Sequence, residues 1–161
     1  MRVSRIAELK PEAEASALLI DLPPKHLEKL LEIAEEWRFG QDDIMFGEGA
    51  KSERLFLIMS GRVALEIVAV GRGIVVQTLG AGDAMGWSAL TETARTHFQA
   101  RALSPVQAIA FDGAKLSVSL EYDHDLGYEM MKRLLAMVTE RLDHTRMQVI
   151  DMYGKPGGAH R

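Results

Sequence analysis

Three glycines in seven residues, Gly80, Gly82 and Gly86, break the stretch QTLGAGDAMGWSAL at positions 77–90, and no other feature limits the fold of this chain more. Glycine takes positive φ without penalty and lets the backbone pass close to another group. An apolar run over 73–79 leads into the stretch, and Trp87-Ser88-Ala89-Leu90 leaves it. Such a break admits two readings. One is a plain turn between strands followed by a helical connector. The other is a ligand cradle, because the first turn of a helix presents unbonded N–H groups to an anion.

The flanking sequence points to a β-rich body. Segments 44–46, 55–60, 63–69, 73–79, 98–102 and 106–111 alternate apolar with polar or run apolar throughout, and Gly, Asp and Ser turns separate them. Gly71-Arg72-Gly73 reads as a hairpin tip between 65–70 and 74–79. Many short strands at even spacing favour a roll or barrel over a parallel α/β sheet. Upstream, 11–20 reads as a short helix. Pro24 can open a second helix running to about Glu36, with Leu27, Leu30, Leu31 and Ile33 on its packed face.

From Asp112 the period changes to 3.6 residues. Asp112 can cap a short helix to about Leu120, and Asp123 a long one to about Tyr153. Glycine and proline over 154–158 end that helix and leave a tail expected to be disordered. On the long helix Met131, Leu135, Val138, Leu142, Thr145, Val149 and Met152 recur at spacings of 4, 3, 4, 3, 4 and 3, the pattern by which two helices pair. A neighbouring stripe, Leu126, Met130, Leu134 and Met137, can face the roll. Two stripes are more apolar surface than one domain needs, so a parallel homodimer through 123–153 is expected, against the alternative of one broad face packed on its own domain.

The chain has 161 residues, enough for one domain, and 47% apolar and 26% charged residues, as in a soluble globular protein. A net charge of −4 argues against direct binding to nucleic acid or an anionic membrane. There are no cysteines, so disulfides and thiolate chemistry are excluded. The charged N-terminus is unlike a signal peptide, and no apolar run approaches the roughly 18 residues of a membrane span. These features imply a cytoplasmic protein. Of five histidines only His97 falls in the roll, without an HxH pair, which excludes a metal-binding cupin. Ser88 near His97 is no basis for a catalytic dyad, so an enzyme is not expected.

In sequence order FxxGxxxxxLFLIxSGRV (from Phe46) and LGxGDxxGxxxL (from Leu79) resemble the cyclic nucleotide-binding domain, the sensor of catabolite activator protein-type regulators and of protein kinase A regulatory subunits. The resemblance covers about residues 19–153. It implies a mainly β fold, an eight-stranded jelly roll at about 38–111, flanked by N-terminal helices, with C-terminal helices at about 112–153 and a tail at 154–161, all one domain. It also implies a pocket for cyclic AMP or cyclic GMP beneath the short helix after the glycines.

That resemblance places candidate ligand contacts at Gly86, Trp87, Ser88, Ala89 and Leu90, then at Arg95, Thr96 and His97, and on the long helix at Thr145 and Arg146. Two departures stand out. Trp87 occupies the position of the family's ribose-binding glutamate, and an indole only donates hydrogen bonds. Thr96 and His97 stand where an arginine and a small residue hold the phosphate. Arg95, one place early, reaches the pocket only if it is still in the loop, because one residue along a strand reverses the face. His97 can supply a partial cation or simply face solvent. Trp87 is either a lid stacked on a planar ligand or, as favoured, a plug that fills the pocket. Arg141-Leu142-x-x-Thr145 resembles the family segment that reaches the purine across the dimer. Arg146 pairs with an anionic ligand or, as favoured, with Asp143 and solvent.

The family's transcription factors carry a helix-turn-helix after the long helix, a unit of at least two helices. With only 154–161 remaining, the expectation is a stand-alone module without it. Two functions stay open: a sensor of a cyclic nucleotide or other small anionic effector with a degenerate pocket, or a scaffold with a collapsed pocket that binds a separate effector protein.

Overall fold

The computed structural model describes residues 2–3, 13 and 16–154. Among the described residues, nine strands and three helices follow in order. They are β1 (Arg2–Val3), α1 (Pro24–Glu32), β2 (Ala34–Phe39), β3 (Ile44–Phe46), β4 (Arg54–Ser60), β5 (Val63–Ala69), β6 (Arg72–Leu79), β7 (Ala84–Met85), a 3-10 turn (Trp87–Leu90), β8 (Gln99–Ala102), β9 (Val106–Asp112), α2 (Gly113–Tyr122) and α3 (His124–Gly154). All pairings are antiparallel, in two sheets ordered β1-β2-β9-β4-β7 and β3-β8-β5-β6. The eight strands β2–β9 make the expected jelly roll, and β1 adds a two-residue margin to the first sheet.

The pairing of β4 with β9 explains two sequence patterns at once. In β4 the run Leu55-Phe56-Leu57-Ile58 is buried throughout. Side chains alternate across a strand. Phe56 and Ile58 therefore enter the roll, while Leu55 and Leu57 join the helices on the outer face. In β9 the order Ala108-Ile109-Ala110-Phe111 alternates small with large. The alanines lie inside the roll, where Phe56 and Met85 crowd the space, and Ile109 and Phe111 meet Leu30, Leu116, Leu126 and Leu134 of the helices. Each buried large side chain contributes about 1.5–3 kcal/mol. Trp37, Phe39 and Phe46 close the roll interior around Phe56, with ring centroids 6.1–6.3 Å from it.

Three boundaries differ from the expectation. Helix α1 ends at Glu32 rather than near Glu36, because Ala34–Phe39 pairs residue for residue with β9. The helix preference of Glu35 and Glu36 yields to that pairing, and the buried Glu36 carboxylate accepts from Arg38 Nε (2.7 Å) and Gln107 Nε2 (2.8 Å). The hairpin tip is Val70-Gly71, not Gly71-Arg72-Gly73. Both tip residues have positive φ (50° and 75°), and Arg72 already pairs with Ala69, a turn whose twist matches the strands. Ala84–Met85, read as connector, is a short strand on β4. Of the helix expected over 11–20, the part from Ser16 to Ile20 forms turns instead, closed by hydrogen bonds from Leu19 N and Ile20 N to the Ser16 carbonyl, while residues 11, 12, 14 and 15 and the tail from Lys155 lie outside the described residues.

Both expected caps form. Asp112 accepts from Lys115 N (3.0 Å) and Asp123 from Leu126 N (3.1 Å). Gly127 lets α3 cross α2 closely, since a methyl there would strike the Leu120 carbonyl. The stripe Leu126, Met130 and Leu134 is buried and Met137 packs beside it, whereas Met131, Leu135, Leu142, Thr145, Val149 and Met152 are exposed and Val138 is half-buried.

The Lys29 ammonium, 2.5 Å away, and the Leu126 N–H hold the Asp123 carboxyl down to about 2. A folded-state value below that of the unfolded chain stabilises the fold above the unfolded value, and that stabilisation is lost as pH falls through the folded value. Urea titrations of wild type and Asp123→Asn should therefore differ by a constant amount from pH 7 to about 4, with the gap closing between about 4 and 2.

Candidate functional site

The glycine-marked connector is built as its sequence suggests. Gly80 N donates to Asp83 Oδ2 (2.9 Å), and the loop at Gly82 and Asp83 is bonded back to Ile58 of β4. After β7 the chain turns at Gly86 with φ 81°, and a Cβ there would lie 2.5 Å from the Arg54 carbonyl oxygen. Glycine is thus required twice, by conformation and by contact. The 3-10 turn begins at once, and Trp87 and Ser88 both line the cavity beneath it, with Trp87 also packed on the helical core.

Beneath this turn lies a cavity of about 50 Å³, lined by Gly86, Trp87, Ser88, Thr96, His97 and Phe98 from the roll, with Phe46, Leu65 and Met85 at its apolar floor and Arg141 from α3 as its far wall. Ligand pockets usually span about 300–1,000 Å³, so a cyclic nucleotide does not fit the cavity as it stands. No carboxylate lines it among the described residues.

Each candidate residue has a definite place. Ser88 is buried and donates to Ser52 Oγ (2.8 Å). Thr96 is buried too. Its hydroxyl donates to the Gly47 and Ala50 carbonyls, and its backbone pairs with Ala50 and Gly49, so it stitches the 47–50 loop to the segment leading into β8. His97 is exposed at the cavity rim. Ala89 and Leu90 stand apart from the lining, Ala89 packing on Gly113 and Leu90 on the helical core. Arg95 is exposed and turned away, its Nη1 donating to the Gly49 carbonyl (2.9 Å) beside a bridge to Lys51. Thr145 is exposed and donates to the Arg141 carbonyl (3.0 Å). Arg146 lies in solvent, 3.8 Å from Asp143. The structure thus gathers Gly86, Trp87, Ser88, Thr96 and His97, and leaves Ala89, Leu90, Arg95, Thr145 and Arg146 outside the cavity.

Arg141, named in the sequence as the start of the Arg141-Leu142-x-x-Thr145 segment but not among the candidate contacts, is the residue that the structure adds to the site. Its Cζ sits 4.3 Å from the centroid of the Trp87 ring, and Nη2 donates to the Ala84 carbonyl (2.8 Å). Its Nε is buried without a hydrogen-bond partner among the described residues, and no described carboxylate comes within ion-pair distance. Burial pushes the guanidinium down to about 10, against the weaker pull of Asp83 and Glu140. A signal was present. Leu126, Met130, Leu134 and Met137 form the roll-facing stripe, and the next position one turn on is 141, so a cation there continues a buried face.

The family profile described as the cyclic nucleotide-binding domain matches residues 36–122, from the middle of β2 to the end of α2. The chain belongs to the cyclic nucleotide-binding domain family.

Among solved structures, a chain from Geobacter metallireducens GS-15 described as a candidate cyclic nucleotide-binding protein is 26% identical, with a TM-score of 0.72 over 87% of this chain and 98% of that one. A cyclic nucleotide-binding domain from Methylobacillus flagellatus KT is 18% identical, with a TM-score of 0.83 over 99% and 92%. Catabolite activator protein of Thermus thermophilus is 19% identical, with a TM-score of 0.69 over 86% and 63%. No curated protein matches the sequence.

Gly86→Ala should cost at least about 1–3 kcal/mol, the range for a residue forced into a sparsely populated backbone region, because the new methyl also meets the Arg54 carbonyl. Chemical denaturation beside Gly47→Ala, where a Cβ meets nothing within 4 Å, reads the difference.

Proposed function

We propose that this chain is a non-catalytic sensor module of the cytoplasm that takes a small anionic effector beneath the 86–90 turn and works as a homodimer through α3. Cyclic AMP and cyclic GMP are the first effectors to test. The observation that carries this reading is that Arg141, on α3, walls the cavity. Anything entering beside Trp87 acts on the helix that also bears the exposed seam of Leu135, Leu142 and Val149. Occupancy would then bias the position of α3 against the roll, a population shift between two packings. The absence of a helix long and apolar enough to cross a membrane among the described residues agrees with this setting.

A second reading has its own support. The cavity holds about 50 Å³ and Trp87 fills the place of a polar contact, which favours a collapsed pocket and a scaffold that binds a separate effector protein. Calorimetric titration with cyclic AMP and cyclic GMP separates the two. Micromolar binding supports the sensor; no heat at millimolar ligand supports the scaffold.

The dimer has an independent test. The 17.8 kDa chain should sediment at twice its mass, and Leu135→Glu with Leu142→Glu should return it to the monomer with its circular dichroism unchanged, since both side chains are exposed. A monomer at high concentration would remove the seam from the account.

A further inference from the structure

Arg141 stands between two hollows of opposite character. On one side lies the cavity of about 50 Å³, with two hydroxyls, an imidazole at the rim and no carboxylate among the described residues. On the other lies an open hollow of about 380 Å³ that contains Asp83 and Glu140. Carboxylates thus lie on the side of the larger hollow, which Arg141 and His144 also line, and none lines the smaller cavity among the described residues. The cation itself is poorly matched by protein: one carbonyl, one indole face, a buried Nε without a partner, and no ion pair among the described residues. Burying a charge without a counter-charge is costly, and an incoming oxyanion relieves that cost.

From this arrangement we infer that Arg141, contributed by α3 rather than by a strand of the roll, is the recognition cation of the site, and that it takes the phosphate group of an organophosphate effector, with Trp87 as the planar surface beside it. The inference rests on the sensor reading and specifies its chemistry. A guanidinium offers a planar fork of donors that matches a phosphate in two parallel bonds. Its Cζ lies 4.3 Å from the centroid of the Trp87 ring, which holds the head group over the indole. The cavity as it stands has room for little more than the charged end of a ligand, so the remainder enters as the indole gives way, with Gly86 free of a Cβ at the base of the turn. Arg95, already bonded to Gly49 and exposed, has no part in this site.

The indole supplies the readout. In a Trp37→Phe background, which leaves Trp87 as the sole tryptophan, cyclic AMP, cyclic GMP and inorganic phosphate are titrated against Trp87 fluorescence, with adenosine as the uncharged control. One or more of the phosphates should bind and adenosine should not. Arg141→Gln should weaken binding about 10- to 100-fold, as expected for loss of charge-assisted hydrogen bonds. Arg141→Lys should fall in between, and Arg95→Gln should match the parent. Circular dichroism and urea titration of each variant confirm the fold, and Arg141→Lys carries the test if Arg141→Gln does not fold. Binding that survives Arg141→Gln within twofold, or Arg141→Lys unchanged, overturns this assignment and leaves the sensor reading standing. A parent protein that binds none of the phosphates overturns both.

Discussion

The antiparallel pair β4–β9 is the constraint on which the rest depends. Both strands are buried on both faces, so each must satisfy two different neighbours with alternate side chains. Toward the roll the pair presents Phe56, Ile58, Ala108 and Ala110. Toward the helices it presents Leu55, Leu57, Ile109 and Phe111. A shift of register by one residue would exchange these sets and put phenylalanine where only alanine fits. The helical layer is therefore not an ornament on the roll but the second half of the same packing problem. The orientation of α3, and with it Arg141, is inherited from that solution.

The site follows from this inheritance. Leu126, Met130 and Leu134 seat α3 against α1 and the outer face of the sheet, and the same helical face carries on to Arg141 at the 86–90 turn. A cation held over an indole, with only partial hydrogen bonding, is a contact of modest strength whose loss would be easily offset by another partner for the guanidinium. The neighbouring face of α3 carries the exposed apolar seam. One rigid element thus touches the cavity and displays the surface by which a second copy would be met, a mechanical link that needs no long relay through side chains.

Much of the fold was legible. The three-glycine stretch, the apolar strands and the two aspartate caps each have a local cause, and each appears where that cause places it. The helix end near Glu36 was not legible, since Glu35 and Glu36 favour helix on their own and only the distant β9 partner makes them strand. The hairpin tip was displaced by one residue because Val70, a poor residue for positive φ, takes the position that glycine chemistry would assign to its neighbour. At the site, Gly86, Trp87, Ser88, Thr96 and His97 were gathered by the family resemblance, which rests on the glycine-marked motif and the spacing after it. The role of Arg141 was hidden because it depends on how the separate helix α3 docks beside the 86–90 turn, which motif spacing does not encode. Even so, its place at the end of a buried stripe was readable in the periodicity.

The hairpin of β5 and β6 reaches beyond the packed body, with Val70 fully in solvent and Ile74 and Val75 half-exposed. Because β6 ends its sheet, one row of its peptide groups faces outward with no described strand beside it. Apolar and eight residues long, such a margin is a template for the strand of another molecule, and a charge or proline is the usual deterrent. Here Arg72 is the one charged residue along it, so solubility at high concentration would hinge on a single guanidinium at the tip of the hairpin.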